Sequence, residues 1–241
     1  VRDSTPTQAL NEVSLDVRAG EFVCLIGPSG CGKTTLMHLL AGFVKPTAGA
    51  VRFRGEPVRG PGPERGVVFQ EYALFPWMTA RQNVEFGLRA LKMDAGERKR
   101  RALQALERVH LSHAADRYPN ELSGGMRQRI AVARSLVVEP QVLLMDEPFA
   151  AVDAMTRASL QNDLLRLWQE TGVSVLFVTH NIDEAIFLAQ RVVVMAAHPG
   201  SIRADIAIEL PYPRQRGSLE FAQHYAEIEL ALAEGYERRA G

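Results

Sequence analysis

A short apolar run, Phe22-Val23-Cys24-Leu25-Ile26, leads without a gap into Gly27-Pro28-Ser29-Gly30-Cys31-Gly32-Lys33-Thr34-Thr35, and a helical pattern follows from Thr34 to Phe43. This order of strand, glycine loop and helix constrains the chain more than any other feature. The glycines let main-chain N–H groups turn inward on phosphate oxygens, and the helix N-terminus favours negative charge. Lys33 is placed to reach terminal phosphates and the Thr34 hydroxyl suits Mg²⁺, so residues 27–35 are expected to hold a nucleoside phosphate. The spacing G-x-x-x-x-G-K-S/T arises by chance in about one chain in a hundred of this length, and its position between strand and helix removes most such accidents. Cys31, inside the loop, is expected to be sterically tolerated rather than reactive.

Further strands are predicted at Val51–Arg54, Val67–Phe69, Val142–Met145, Val175–Val178 and Val192–Met195, with Gly60-Pro61-Gly62-Pro63 separating the first two. Short buried strands alternating with helical patterns predict an α/β fold with a mostly parallel sheet. Between residues 72 and 120 the strand signal disappears. There Asp94 and Glu97 form a capping-box-like start, and Leu103, Leu106, Val109 and Leu111 recur at roughly helical spacing, which predicts an inserted helical segment. Phe221, Tyr225, Ile228 and Leu232 are expected to form one apolar helix face near the C-terminus.

Charge and composition narrow the function classes. The 28 Lys and Arg residues balance 28 Asp and Glu, which argues against a nucleic acid held by phosphate-backbone electrostatics. The run Arg98-Lys99-Arg100-Arg101 reads as a solvated helix face. The two cysteines, Cys24 and Cys31, supply neither a disulfide framework nor a four-ligand zinc site and suit a reducing compartment. No apolar run approaches the roughly 20 residues that span a bilayer, and Val1–Pro6 lacks the apolar stretch of a secretory signal. A cytoplasmic, non-spanning chain is expected.

Two more segments carry chemistry. Val142-Leu143-Leu144-Met145-Asp146-Glu147 places two carboxylates at the end of a buried strand, where parallel sheets bind ligands. Asp146 suits the Mg²⁺ shell opposite Thr34, and Glu147 suits orienting or deprotonating an attacking water. Leu122-Ser123-Gly124-Gly125-Met126 opens another helix, with Ser123 as the expected N-cap and a second anion-accepting nest at the glycines. Two phosphate sites for one nucleotide are reconciled by a head-to-tail dimer that shares two nucleotides.

The ordered set resembles the ATP-binding subunit of an ABC transporter: Walker A at 27–34, a Q-loop glutamine at Gln70, Leu122–Met126 as the signature, Walker B at 142–147, a D-loop aspartate at Asp153 and a switch histidine in Phe177-Val178-Thr179-His180. The resemblance implies one P-loop ABC ATPase domain over 1–241, with a RecA-like core at 1–71 and 139–241, antiparallel β elements, and a helical subdomain at about 72–138. It implies ATP and Mg²⁺ as cofactors, with Thr34, Gln70 and Asp146 at the metal. It further implies a homodimer in which Ser123, Gly124 and Gly125 of one copy close on the γ-phosphate held by the other, Asp153 linking the two sites. Glu147 and His180 would then serve the water and γ-phosphate, and Gln70 would couple the nucleotide to the membrane interface.

Leu74–Thr79, Asn83–Leu88, Asp183–Ile186 and Pro199-Gly200 further resemble the importer subfamily for nitrate, sulfonates, taurine and related small solutes. That resemblance implies two membrane permease subunits, an indirect solute-binding partner, and a peripheral position on the cytoplasmic face of the inner membrane. The alternative is a soluble ABC-type ATPase that clamps a non-membrane partner. Phe75 and Trp77 are read as either interface or core. Met126, Val152 and Gln190 depart from commoner family residues, without removing a catalytic group. No Phe, Tyr or Trp precedes Phe22, although the family carries an adenine-stacking aromatic before its first strand. Adenine is therefore expected either on an aliphatic surface or on a strand ahead of residue 1.

Overall fold

The computed structural model describes residues 8–197 and 199–237. Val1–Pro6 and His198 lie outside the described residues. The strands and helices are β1 (Phe22–Ile26), α1 (Lys33–Ala41), β2 (Arg52–Phe53), β3 (Glu56–Pro57), β4 (Arg65–Val68), α2 (Ala80–Leu88), α3 (Ala95–Arg108), α4 (Gly124–Leu136), β5 (Val142–Asp146), α5 (Ala154–Thr171), β6 (Ser174–Thr179), α6 (Ile182–Leu188), β7 (Arg191–Ala196), β8 (Ser201–Ala207) and α7 (Leu219–Glu237). The chain divides into two compact units, one of residues up to Gly60 and from Leu176 onward, the other Pro61–Val175.

In the first unit the strand order is β6-β1-β7-β8. β1 and β7 pair in parallel with Val23 opposite Arg191, whereas β8 runs antiparallel to β7. Every residue of β1 is buried, and the Phe22 and Phe177 rings pack 6.1 Å apart. Burying such an apolar side chain contributes about 1.5–3 kcal/mol, which is why a five-residue strand without alternating polarity is stable only at the centre of a sheet. Gln190 accepts from Phe22 N at 3.1 Å, so the residue that departs from the family pattern ties the start of β7 to β1. Arg191 pairs with Glu21 at 3.1 Å and Asp205 at 3.3 Å. Arg214, itself buried, donates to the carbonyls of Ile186, Ala189, Ile208 and Leu210, thereby tying the end of α6 to the segment after β8. On α7, Phe221 and Ile228 are buried as expected, but Tyr225 is 39% exposed. The apolar stripe is thus narrower than its spacing suggested.

In the second unit β4 and β5 pair in parallel with Val68 opposite Met145. Gly66 lets α4 approach β4 closely: an added Cβ would lie 3.1 Å from the Ser135 carbonyl oxygen. Ser135 Oγ donates to Val67 O at 2.8 Å across the same contact. Helix starts follow side-chain chemistry: Thr79 and Gln82 form a capping box on α2, Asp94 caps α3, Ser123 caps α4 and Asp153 caps α5. On α3, Ala102 and Leu106 are buried, whereas Leu103 is 37% exposed and lies off the packed face. Glu97 pairs with Arg100 at 2.6 Å and Arg101 at 3.0 Å, as expected of a solvated basic face. β3 and β8 went unread in the sequence.

Candidate nucleotide site

At Gly27 and Gly32 the loop after β1 has no room for a side chain, whereas Gly30 faces open space. A Cβ on Gly27 would stand 2.7 Å from the Met195 carbonyl oxygen, and one on Gly32 would stand 2.5 Å from Leu10 Cδ2. Gly32 also adopts φ 89°, a left-handed conformation that glycine enters without strain. It is the N-cap of α1 and, having no side chain, makes no side-chain capping bond to the first turn. Lys33 is only 8% exposed, and its Nζ donates to Gly27 O at 2.7 Å and Pro28 O at 3.0 Å. The ammonium thus folds back into the loop. Cys31 is buried with Sγ 3.7 Å from that nitrogen, in agreement with a tolerated rather than an accessible thiol. Pro28 is half-buried and Ser29 and Gly30 are exposed, while Thr34 is exposed and Thr35 half-buried in the first turn of α1.

His180 is exposed immediately after β6. Beneath it Thr179 is 3% exposed and Glu184 5% exposed. That buried pair was not singled out from sequence.

In the second unit, Gln70 follows β4 by two residues and Asp146 ends β5, so the parallel register delivers Gln70, Asp146 and Glu147 to the same carboxyl end of the pair. Gln70 is exposed, and Asp146 and Glu147 are half-buried. Glu147 has φ 41°, a strained conformation for a non-glycine residue and one that recurs at functional sites. Ser123 is exposed and its Oγ accepts from Met126 N at 3.3 Å. Gly125 is needed sterically, since a Cβ there would be 2.4 Å from Thr156 Cγ2. Asp153 accepts from Thr156 N at 3.0 Å, and the hydrogen bonds to Thr156 hold its carboxyl below the usual range. The signature residues and Asp153 therefore meet through Thr156, at the first turns of α4 and α5. Sequence reasoning also missed Arg134, although a charged residue within the apolar run Ile130–Val138 was a visible anomaly, and it named Asn83 only within the importer-like segment, without its anchoring role.

A lysine folded into a glycine loop between a buried strand and a helix is the phosphate-binding element of P-loop nucleoside triphosphatases, and the fold is of that class. The profile of the ABC transporter family matches residues 10–150. An ATP-binding protein of Brucella abortus (biovar 1, strain 9-941) is 52% identical over 217 residues, covering 89% of this chain and 84% of the relative. The nitrate import ATP-binding protein NrtD of Synechocystis sp. is 49% identical over 203 residues, 84% of this chain and 76% of that protein. A solved dimeric ATP-binding cassette, in a post-hydrolysis state bound to ADP and Pi, is 33% identical, with a TM-score of 0.74 and coverage of 84% of this chain and 92% of that one. The chain belongs to the ABC transporter family as an ABC-type ATPase. Among the described residues no helix is long and apolar enough to cross a membrane.

Proposed function

We propose that this chain energises an importer of a small solute of the nitrate, sulfonate or taurine class. It works as a homodimer bound to two membrane permease subunits on the cytoplasmic face of the inner membrane. The observation that carries this reading is the 49% identity to a nitrate import ATP-binding protein, supported by an intact set of motifs. Residues 27–35 hold the phosphates, and Lys33 and the loop amides offset charge on the phosphoryl group. Ser123, Gly124 and Gly125 of the second copy complete the cradle, and Asp153 links the two sites.

The donors are of the right kind for Mg²⁺: the Thr34 hydroxyl, the Gln70 side-chain carbonyl and the Asp146 carboxylate are hard oxygen ligands. When bound, the ion neutralises phosphate charge. Glu147 accepts the proton of the attacking water, and His180 orients the water and the γ-phosphate. The helical segment at about 72–138 serves as the coupling subdomain, apart from a RecA-like core at 1–71 and 139–241. Gln70 and the segment after it report to the permease.

The test is affinity purification of the tagged chain from detergent-solubilised membranes, with ATPase assays in the presence of the solute-binding protein. Recovery with two integral membrane subunits, and turnover stimulated by nitrate, a sulfonate or taurine, is expected. Recovery only with soluble partners would contradict the importer reading.

A further inference from the structure

Helix α4 begins at the signature glycines and carries Arg134 near its far end. The two terminal nitrogens of Arg134 donate to Ala73 O at 2.6 Å and Tyr72 O at 3.1 Å, and its guanidinium lies 5.8 Å from the centre of the Phe75 ring. Burial pulls the guanidinium pKa below its usual value, yet arginine stays charged. Two charge-assisted bonds are therefore spent on main-chain carbonyls. Those carbonyls belong to a kink: Tyr72 has φ 61° and Ala73 φ 45°, a left-handed pair without glycine that local preference alone does not favour.

The near end of α4 holds the same segment. Arg127 stacks 5.5 Å over the Tyr72 ring, and the Tyr72 hydroxyl lies so close to Gly124 that a Cβ there would be 3.3 Å from it. Beyond the kink, fully buried Asn83 accepts from Phe75 N at 2.8 Å and donates to Phe75 O, Met78 O and Thr79 O at 3.0–3.2 Å. The stretch from Tyr72 to Thr79 is thus bonded to α4 at one end and to α2 at the other.

We propose that Arg134 and Tyr72 are positioning residues that fasten the segment after Gln70 to the signature helix, so that Gln70 and Ser123–Gly125 are set by one rigid piece. The catalytic consequence rests on the ATPase reading above. None of the named bonds and ring contacts of this clamp involves residues 27–35, so ground-state ATP binding is expected to survive its loss. What suffers is the alignment of groups that act in phosphoryl transfer.

The test combines hydrogen exchange of residues 70–79 with steady-state ATPase kinetics on the wild-type chain, Arg134→Ala, Arg134→Lys and Tyr72→Ala. Arg134→Ala is expected to raise amide exchange at 72–78 and to lower kcat by about tenfold, with KM for ATP held within about twofold. Arg134→Lys, which keeps charge but lacks the two-pronged donor, falls between Arg134→Ala and wild type. Tyr72→Ala lowers kcat at unchanged KM and melting temperature. Unchanged kcat and local exchange in Arg134→Ala and Tyr72→Ala would overturn the clamp. So would exchange rising uniformly over Pro61–Val175 with kcat falling only as the folded fraction falls. Absence of turnover in the wild type would instead overturn the ATPase reading, while the exchange comparison would still decide the clamp.

Discussion

Thr179 Oγ donates to the Glu184 carboxylate at 2.7 Å, directly below the strand end that presents His180. The same hydroxyl accepts from Asn181 N at 3.1 Å, while the Asn181 side chain accepts from Glu184 N at 3.2 Å and caps α6. The turn carrying the histidine is therefore closed by side chains on both flanks. Glu184→Ala leaves buried polar groups unpaired and is expected to cost about 1–3 kcal/mol in denaturant unfolding. Glu184→Gln, which retains an acceptor for Thr179, should recover most of that loss.

Cys24 lies in the same core, fully enclosed in β1. Burial, and secondarily the negative charge of Glu184, pushes its thiol well above the ordinary value. The sign of the linkage follows: the unfolded thiol ionises first, so stability is intact below about pH 8.5 and declines as pH rises beyond it, by at most about 1.4 kcal/mol per unit for this group. Cys24→Ala or Cys24→Ser should flatten that alkaline slope in denaturation curves. The thiol should react with a maleimide only on unfolding.

Trp77 is 69% exposed, its ring 5.7 Å from Phe75, which packs 4.6 Å from Phe86. Most of its surface is thus available to a partner. Trp77→Ala should change folding stability by about 0.5 kcal/mol or less, whereas assembly with membrane subunits should weaken by about 2 kcal/mol, as for an aromatic anchor. A large fall in melting temperature would return Trp77 to the core.

Much of this arrangement was legible in the sequence. β1 and the centres of β5 and β7 are continuous apolar runs that suit a strand buried on both faces, and Asp94 and Ser123 cap helices because short polar side chains compete well for first-turn amides. β8 escaped notice because it carries Arg203 and Asp205 among its apolar residues and draws its stability from antiparallel pairing with β7. Leu103 and Tyr225 show that helical periodicity locates a face but not its edge. Half-buried Arg134 and fully buried Asn83 are polar side chains whose acceptors are main-chain carbonyls. No residue pattern marks such acceptors, because every residue carries the same main-chain carbonyl and only the folded geometry selects among them.

The shared-site account predicts complementation between inactive partners. Lys33→Ala and Ser123→Arg should each abolish turnover, yet a mixed dimer keeps one site with both groups intact. Random exchange at equal concentrations makes half of the dimers mixed, so roughly a quarter of wild-type ATPase activity should return. Demonstrated heterodimers without recovered activity would show that Ser123 does not act in trans.

The most direct measurement of the central claim compares Glu147→Gln with the wild type in ATP binding and in phosphate release. Loss of the carboxylate that takes the water proton should lower turnover by at least about a hundredfold while ATP binding remains within a few-fold of wild type. Wild-type phosphate release by Glu147→Gln, or loss of ATP binding along with turnover, would contradict the assignment of Glu147 as the base.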